Sequence, residues 1–137
     1  MKSYLGFKRV YSEEHMIEIN IGVAKTDIKA SVSCYTQIDK LYELSRMCDI
    51  FVKNSLPFNW SIGTTDYSYF EMNFDVYGKR GHIKVGIIII NNKNPLNLDY
   101  LKCEFFIIID LGQVENLGKG ILELCDNDFT SVTIEQG

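Results

Sequence analysis

The fold of this chain is decided by residues 67–90, which read YSYFEMNFDVYGKRGHIKVGIIII. Apolar and polar residues alternate on both sides of the central GKRG sequence, as is typical of two antiparallel strands joined by a tight turn. The register that places Val76 opposite Ile83 on the apolar face also places Asp75 opposite Lys84 on the polar face. A slip of one residue would destroy both matches. The pattern therefore predicts a long hairpin with a fixed register.

The polar face of this hairpin is rich in tyrosine, which is enriched in the cores of protein interfaces. Side chains alternate along a strand, so the odd-numbered positions of the first strand share one face with the even-numbered positions of the second. The predicted partner-binding residues on this face are Tyr67, Tyr69, Glu71, Asn73, Asp75, Tyr77, His82 and Lys84. The exposed part is expected near the turn, with Tyr67 and Tyr69 at the margin of a covered region.

A first hairpin is predicted upstream. Residues 16–24 alternate with their apolar members at odd positions, and residues 28–35 alternate with theirs at even positions. A register with Val23 opposite Ile28 brings both apolar sets to one face.

An amphipathic helix is predicted over residues 37–54, where apolar residues recur at steps of three and four. Thr36 is the expected N-cap, with Asp39 completing an acidic variant of the capping box. Pro57 is expected to close the segment, because the residue before a proline avoids the α region.

The rest of the chain predicts further strands and a second helix. Strand patterns occupy residues 58–63, 100–110 and, as a short edge strand, 131–134, and a glycine-containing helical pattern runs over 114–125. Helices are thus segregated from runs of antiparallel strands, which indicates the α+β class. We predict an antiparallel sheet of about five to seven strands in β-β-α-β-β-β-α-β order, with two helices, in a single domain over residues 1–137.

The two strands 82–90 and 100–110 turn apolar on both faces. Their second faces carry Ile88, Ile90, Phe106 and Ile108. This predicts that both strands are central in the sheet and covered on both faces at one end.

The charge balance argues against nucleic-acid binding. The chain has 14 Lys and Arg against 18 Asp and Glu, a formal net charge of −4 and a pI near 5.1. Nucleic-acid binding leaves a basic footprint, whereas a mildly acidic chain suits a basic protein partner. No apolar run approaches the ~20 residues that cross a bilayer, and the N-terminus lacks a signal-peptide pattern, so we expect no membrane partner and a cytoplasmic location.

Catalytic signatures are absent from the sequence. His15 and His82 have no metal-ligating neighbour at the usual spacing, and the four separated cysteines are expected to be free, buried thiols. The segment Gly112–Gly118 follows a strand and opens a helix, but it lacks the residues of a phosphate loop, so its glycines are expected to serve close packing. We therefore predict a protein that is not an enzyme and holds neither metal nor cofactor.

Residues 60–125 resemble the small immunity proteins of bacterial polymorphic and contact-dependent toxin systems. The resemblance is carried by Trp60, the hairpin strand Tyr69–Tyr77, the strand Cys103–Asp110 and the helix that follows. It implies a non-enzymatic inhibitor that binds a cognate toxin domain, often a nuclease, and occludes its active site. A basic toxin domain would suit the acidic face.

Two other classes of function stay open. The first is a small-ligand binding domain or small enzyme with a pocket between the sheet and helix 37–54. The second is a homodimeric module in which Ile88, Ile90, Phe106 and Ile108 form an apolar seam between two sheets.

Overall fold

The computed structural model describes residues 3–13, 16–78, 80–92, 100–127 and 131–136. Their helices and strands, in chain order, are β1 (Ser3–Ser12), β2 (Ile17–Lys25), β3 (Ile28–Thr36), α1 (Ile38–Asn54), β4 (Phe58–Gly63), β5 (Ser68–Tyr77), β6 (His82–Asn92), β7 (Tyr100–Asp110), α2 (Leu111–Asp126) and β8 (Ser131–Gln136).

The strands form two antiparallel sheets of four strands each, in the orders β3-β2-β1-β8 and β4-β5-β6-β7. The predicted α+β class and the two helices are confirmed. The predicted sheet is wrong, because the described residues contain eight strands in two sheets and begin with three strands before α1. The short strand expected near the C-terminus is confirmed as β8, at the edge of the first sheet.

The strand missing from the prediction is β1, which lies inside the first sheet between β2 and β8. The β1 side chains Leu5 and Phe7 are buried, with 0% and 1% of their surfaces exposed. The register shifts between Arg9 and Tyr11, as in a β-bulge. Because a bulge inserts a residue into one strand, it ends the simple alternation that identifies a strand in sequence.

The β2–β3 hairpin forms with the expected faces but not with the expected register. Val23 lies opposite Ala30 instead of Ile28, and Lys25 lies opposite Ile28. Thr26 takes a positive φ of 52° in the turn. Alternation fixes only which face a residue occupies, so a shift of two residues leaves the apolar pattern intact.

The β5–β6 hairpin has the predicted register, with Val76 opposite Ile83 and Asp75 opposite Lys84. Gly78 and Gly81 in its turn adopt positive φ values of 76° and 72°. This conformation is inexpensive only for glycine. The register prediction is confirmed.

Helix α1 matches the predicted range, but its N-cap is Gln37 and no side chain caps it. The prediction of Thr36 as the cap is wrong, because Thr36 is still in β3, paired with Ile17 and buried. The helix ends where Ser55 takes a left-handed conformation and donates its N–H to the carbonyl of Phe51.

The two sheets and both helices contribute to one hydrophobic cluster. Phe7 of the first sheet contacts Trp60 and Phe70 of the second edge-to-face, with ring centroids 6.3 and 5.7 Å apart. The Trp60 Nε1–H donates to the carbonyl of Lys40 in α1 at 2.9 Å. Trp60 therefore lies in the core and joins three parts of the fold.

The glycines of α2 allow close packing, as the sequence indicated. A Cβ on Gly118 would lie 3.0 Å from the Cβ of Cys48 in α1, and one on Gly120 would collide with Val132 of β8. Ser45 donates its hydroxyl to the carbonyl of Gly118 at 2.8 Å. Gly118 thus sets the distance between the helices.

Strand β6 lies inside its sheet, whereas β7 is an edge strand. The prediction that both are central is therefore right for β6 and wrong for β7. Ile107 and Ile109 of β7 belong to the core, but its first half, from Tyr100, is largely exposed.

Candidate functional site

The outer face of β5 and β6, called here the β5–β6 face, contains most of the predicted partner-binding residues. Asn73, Asp75, Tyr77, His82 and Lys84 are all exposed. They cluster at the turn end of the hairpin, where the sequence predicted the exposed part of the face.

The other end of this face differs from the prediction at one residue. Tyr69 and Glu71 are half-buried, in keeping with a margin position. Tyr67 is 63% exposed and precedes β5, so its expected position at a covered margin is wrong. The reason is that β5 begins at Ser68, which takes Tyr67 out of the strand alternation.

A chain of side-chain hydrogen bonds runs along β5 and continues onto β4. The Tyr69 hydroxyl donates to Glu71 Oε1 at 2.5 Å, and Asn73 Nδ2 donates to Glu71 Oε2 at 3.2 Å. Asn59 of β4 then donates its side-chain amide to Asn73 Oδ1. Because both Glu71 oxygens accept bonds within the chain, this carboxylate is fixed in place.

The network changes the acidity of its members. The hydrogen bond from Tyr69 holds the pKa of Glu71 below its usual value of 4.5, against an opposing effect of partial burial. Burial raises the pKa of Tyr69, and its hydrogen bond to Glu71 raises it further. At neutral pH the phenol is therefore the donor and the carboxylate is the charged acceptor.

Asn59 is the member of this network that the sequence prediction missed. It lies opposite Asn73 in the β4–β5 pair. Alternation in residues 58–63 predicts a strand but does not say which strand is its neighbour. Only the tertiary pairing brings the two amides together.

Asp75 and Lys84 lie opposite each other, but their side chains separate. The Lys84 ammonium lies 4.6 Å from the centre of the Phe106 ring on β7. The Asp75 carboxylate accepts the backbone N–H of Val76 at 2.8 Å. No ion pair among the described residues includes Asp75, so its charge is open to a partner.

A depression of about 350 Å³ lies beside Asp75, and Gly86 is one of the residues that line it. A Cβ on Gly86 would meet only Asn73, at an ordinary 3.7 Å. Glu104 and Phe106 of β7 also line it. The β5–β6 face therefore combines exposed polar side chains with a depression that has room for a partner side chain.

His82 lies opposite Tyr77 on one side and Asp110 on the other. The Asp110 carboxylate accepts the backbone N–H of Gln113 at 2.9 Å and so caps α2. The Gln113 side chain accepts the Asp110 N–H in return, which completes a capping box. This cap occupies the helix N-terminus that was considered as a phosphate site. His15 lies outside the described residues.

A depression of about 420 Å³ lies where β1 and β2 meet the N-terminal end of α1, and its lining includes Arg9, Ile17 and Asp39. Further along α1 no pocket opens against the core, because the side chains of Leu41, Leu44, Cys48 and Phe51 have no exposed surface. An open groove of about 680 Å³ also lies between α1 and α2. Its lining includes exposed Tyr42 and Leu122 and the salt-bridged Lys53 and Lys119.

The apolar seam proposed for a homodimer is not continuous. Ile90 is buried, with only 6% of its surface exposed, whereas Phe106 is 37% exposed. Lys25 and Lys84 both lie within 5 Å of the Phe106 ring centre, at 4.1 and 4.6 Å. These two ammonium groups interrupt the apolar surface.

Burial makes three of the four free cysteines poor nucleophiles. It raises the pKa of Cys34 and Cys48 to about 12 and that of Cys125 to about 11. A thiol with such a pKa stays protonated at neutral pH. Within the described ranges, no three His, Cys, Asp or Glu side chains are grouped to hold a metal ion.

Comparison with known proteins finds no match: no family model, no curated protein and no solved structure is similar to this chain. Neither helix of the described part is long and apolar enough to cross a membrane.

Proposed function

We propose that this chain is a non-enzymatic immunity protein, which binds a cognate bacterial toxin domain through the β5–β6 face and occludes the active site of that domain. The proposal includes a basic toxin domain, most often a nuclease in such systems, and a cytoplasmic site of action.

The hydrogen-bonded chain Tyr69–Glu71–Asn73–Asn59 is the observation that carries this proposal. An exposed sheet face does not need an organised polar network to stay soluble. Side chains that are fixed before binding lose less entropy when a partner docks, so this order favours affinity. Tyrosine supplies large contact area with only two rotatable side-chain bonds, as in antibody binding sites.

Charge supports a basic partner, through Asp75 in particular. Glu71 already accepts two hydrogen bonds, but Asp75 is exposed and forms no ion pair within the described residues. An exposed carboxylate at an interface attracts a basic surface and speeds association. Lys84 does not neutralise it, because the Lys84 ammonium turns towards Phe106.

The test begins with the gene immediately upstream. The proposal expects a large secreted protein whose short C-terminal domain stops bacterial growth when it is expressed alone. Co-expression of this chain should restore growth, and the purified chain should inhibit the domain at a one-to-one ratio. An upstream metabolic gene, or a toxin domain that stays active with excess chain, would contradict the proposal.

A further inference from the structure

The first half of β7 is an exposed sheet edge that carries apolar and aromatic side chains. Tyr100 and Leu101 are 54% and 46% exposed, and Phe106 is 37% exposed. Cys103 and Phe105 point towards the core side but are only half-buried. An exposed apolar edge strand is a ready site for pairing with another strand, and proteins usually protect such edges.

The hydrogen-bonding direction of this edge can be assigned. The Phe106 carbonyl accepts a hydrogen bond from Lys25 Nζ at 2.6 Å, so it points away from β6. In an antiparallel strand, the N–H and C=O of one residue point to the same side, and that side alternates along the chain. The even-numbered residues of β7 therefore direct their backbone groups to the free edge.

The sequence Tyr100–Phe106 is complementary to itself in the antiparallel direction. If two copies pair with Cys103 opposite Cys103, Lys102 lies opposite Glu104 of the second copy, and Glu104 opposite its Lys102. On the other face, Leu101 lies opposite Phe105 of the second copy. One register therefore matches opposite charges on one face and apolar side chains on the other. In this register the two strands hydrogen-bond through the backbone N–H and C=O groups of the even-numbered residues, which point to the free edge.

The two charged residues are available for this pairing. Lys102 and Glu104 are exposed, and no ion pair among the described residues includes either of them. A lysine on an edge strand normally opposes pairing. Here Glu104 on the second copy would turn that charge into an attraction.

We propose that two copies of this chain associate by antiparallel pairing of their β7 edges, centred on Cys103. Seven residues from each copy form a short interface, so the dimer is weak and depends on concentration. The Phe106 carbonyl lies opposite Tyr100 in this register and already accepts a hydrogen bond from Lys25, so Phe106 marks the end of the paired segment.

Sedimentation equilibrium over a range of protein concentrations tests the proposal. The unmodified chain should show a reversible monomer–dimer equilibrium. Lys102→Glu and Glu104→Lys should each weaken dimerisation about tenfold or more, because each replaces two attractive pairs with two repulsive ones. The double variant Lys102→Glu/Glu104→Lys should recover the original dimer constant to within about threefold, because the cross-strand pairs are restored.

Lys29→Glu is the matched control, because Lys29 is exposed on β3, the edge strand of the other sheet. It makes the same change in charge and should leave the dimer constant unchanged. Circular dichroism of every variant establishes that it is folded.

A disulfide trap tests the register independently. Cys103 is the one cysteine that is not buried. In the proposed register the two Cys103 thiols should join into a disulfide when diamide takes up their two hydrogens, and Cys103→Ser should abolish this cross-link. A chain that is monomeric at every concentration overturns the proposal. The β7 edge would then be open to pairing with a strand of another protein. A dimer that ignores both charge reversals, or that the double variant fails to restore, overturns it as well.

Discussion

At the scale of single residues, the structure separates two carboxylates that the sequence treated alike. Glu71 and Asp75 share one strand face, and both were expected to attract a basic partner. Glu71 instead organises its neighbours through hydrogen bonds from Tyr69 and Asn73. Asp75 is exposed and is the carboxylate available for attraction.

Replacing Glu71 by Gln should change how stability depends on pH. The pKa of Glu71 is lowered in the folded chain, so the unfolded chain binds more protons in acid. The Glu71 contribution to the free energy of unfolding is thus present above its usual value of 4.5 and is lost as the pH falls through the lowered pKa. Glu71→Gln should cost about 0.5–1 kcal/mol at neutral pH and less in acid.

Urea unfolding of both proteins at neutral pH and at several acidic values measures this difference. Tyr69→Phe removes the strongest donor to Glu71 and should reproduce part of the effect. A difference between the wild type and Glu71→Gln that stays constant over this pH range would show that the network does not hold the Glu71 charge.

At the scale of elements, close packing explains which glycines the fold requires. A Cβ on Gly118 of α2 would lie 3.0 Å from the Cβ of Cys48 in α1, whereas one on Gly86 of β6 would meet only Asn73, at an ordinary 3.7 Å. The two positions look alike in sequence, as single glycines within regular elements. Their surroundings predict opposite effects of the same substitution.

Gly86→Ala should raise the free energy of unfolding by about 0.5–1 kcal/mol, because alanine restricts the unfolded chain and meets no close atom. Gly118→Ala should lower it by about 1–2 kcal/mol, because the added methyl group lies 3.0 Å from the Cβ of Cys48 and the helices must separate. Chemical denaturation of the two variants gives both values. Equal changes in the free energy of unfolding for the two variants would mean that the contact between Gly118 and Cys48 does not restrict how closely the helices pack.

The same scale shows what the sequence could predict. The register of the β5–β6 hairpin was predictable because an apolar match and a charge match had to hold together, at Val76 and Asp75. The β2–β3 hairpin had only its apolar alternation, which a shift of two residues satisfies equally well. Strand β1 was missed because the register shift after Arg9 interrupts its alternation.

The candidate site was predictable to a similar extent. Strand parity gave the exposed residues near the turn, from Asn73 to Lys84. It could not give Asn59, because that residue joins the network through the pairing of β4 with β5. Nor could it give the direction of the Lys84 side chain, which depends on Phe106 of a third strand.

At the scale of the whole molecule, the core and the proposed interfaces occupy separate surfaces. The apolar sides of both sheets and both helices meet in one cluster, which leaves the outer faces free to carry function. The β5–β6 face combines fixed tyrosine and asparagine side chains with an open carboxylate. The β7 edge beside it is the surface proposed for self-association. The two proposed interactions use different residues of the same sheet: a partner protein would bind the β5–β6 face, and a second copy would pair with the β7 edge. They can therefore be tested separately.

The sharpest test of the proposed toxin-binding surface is a calorimetric comparison of the wild type, Asp75→Lys and Asp27→Lys. It measures the affinity of each protein for the toxin domain that the proposal expects to be encoded next to this chain. Asp27 is exposed in the β2–β3 turn of the other sheet and controls for the change in net charge. We predict that Asp75→Lys weakens binding about tenfold or more, by ~1.4 kcal/mol at least, whereas Asp27→Lys binds like the wild type. Equal affinities for all three proteins would contradict the assignment of the β5–β6 face as the toxin-binding surface.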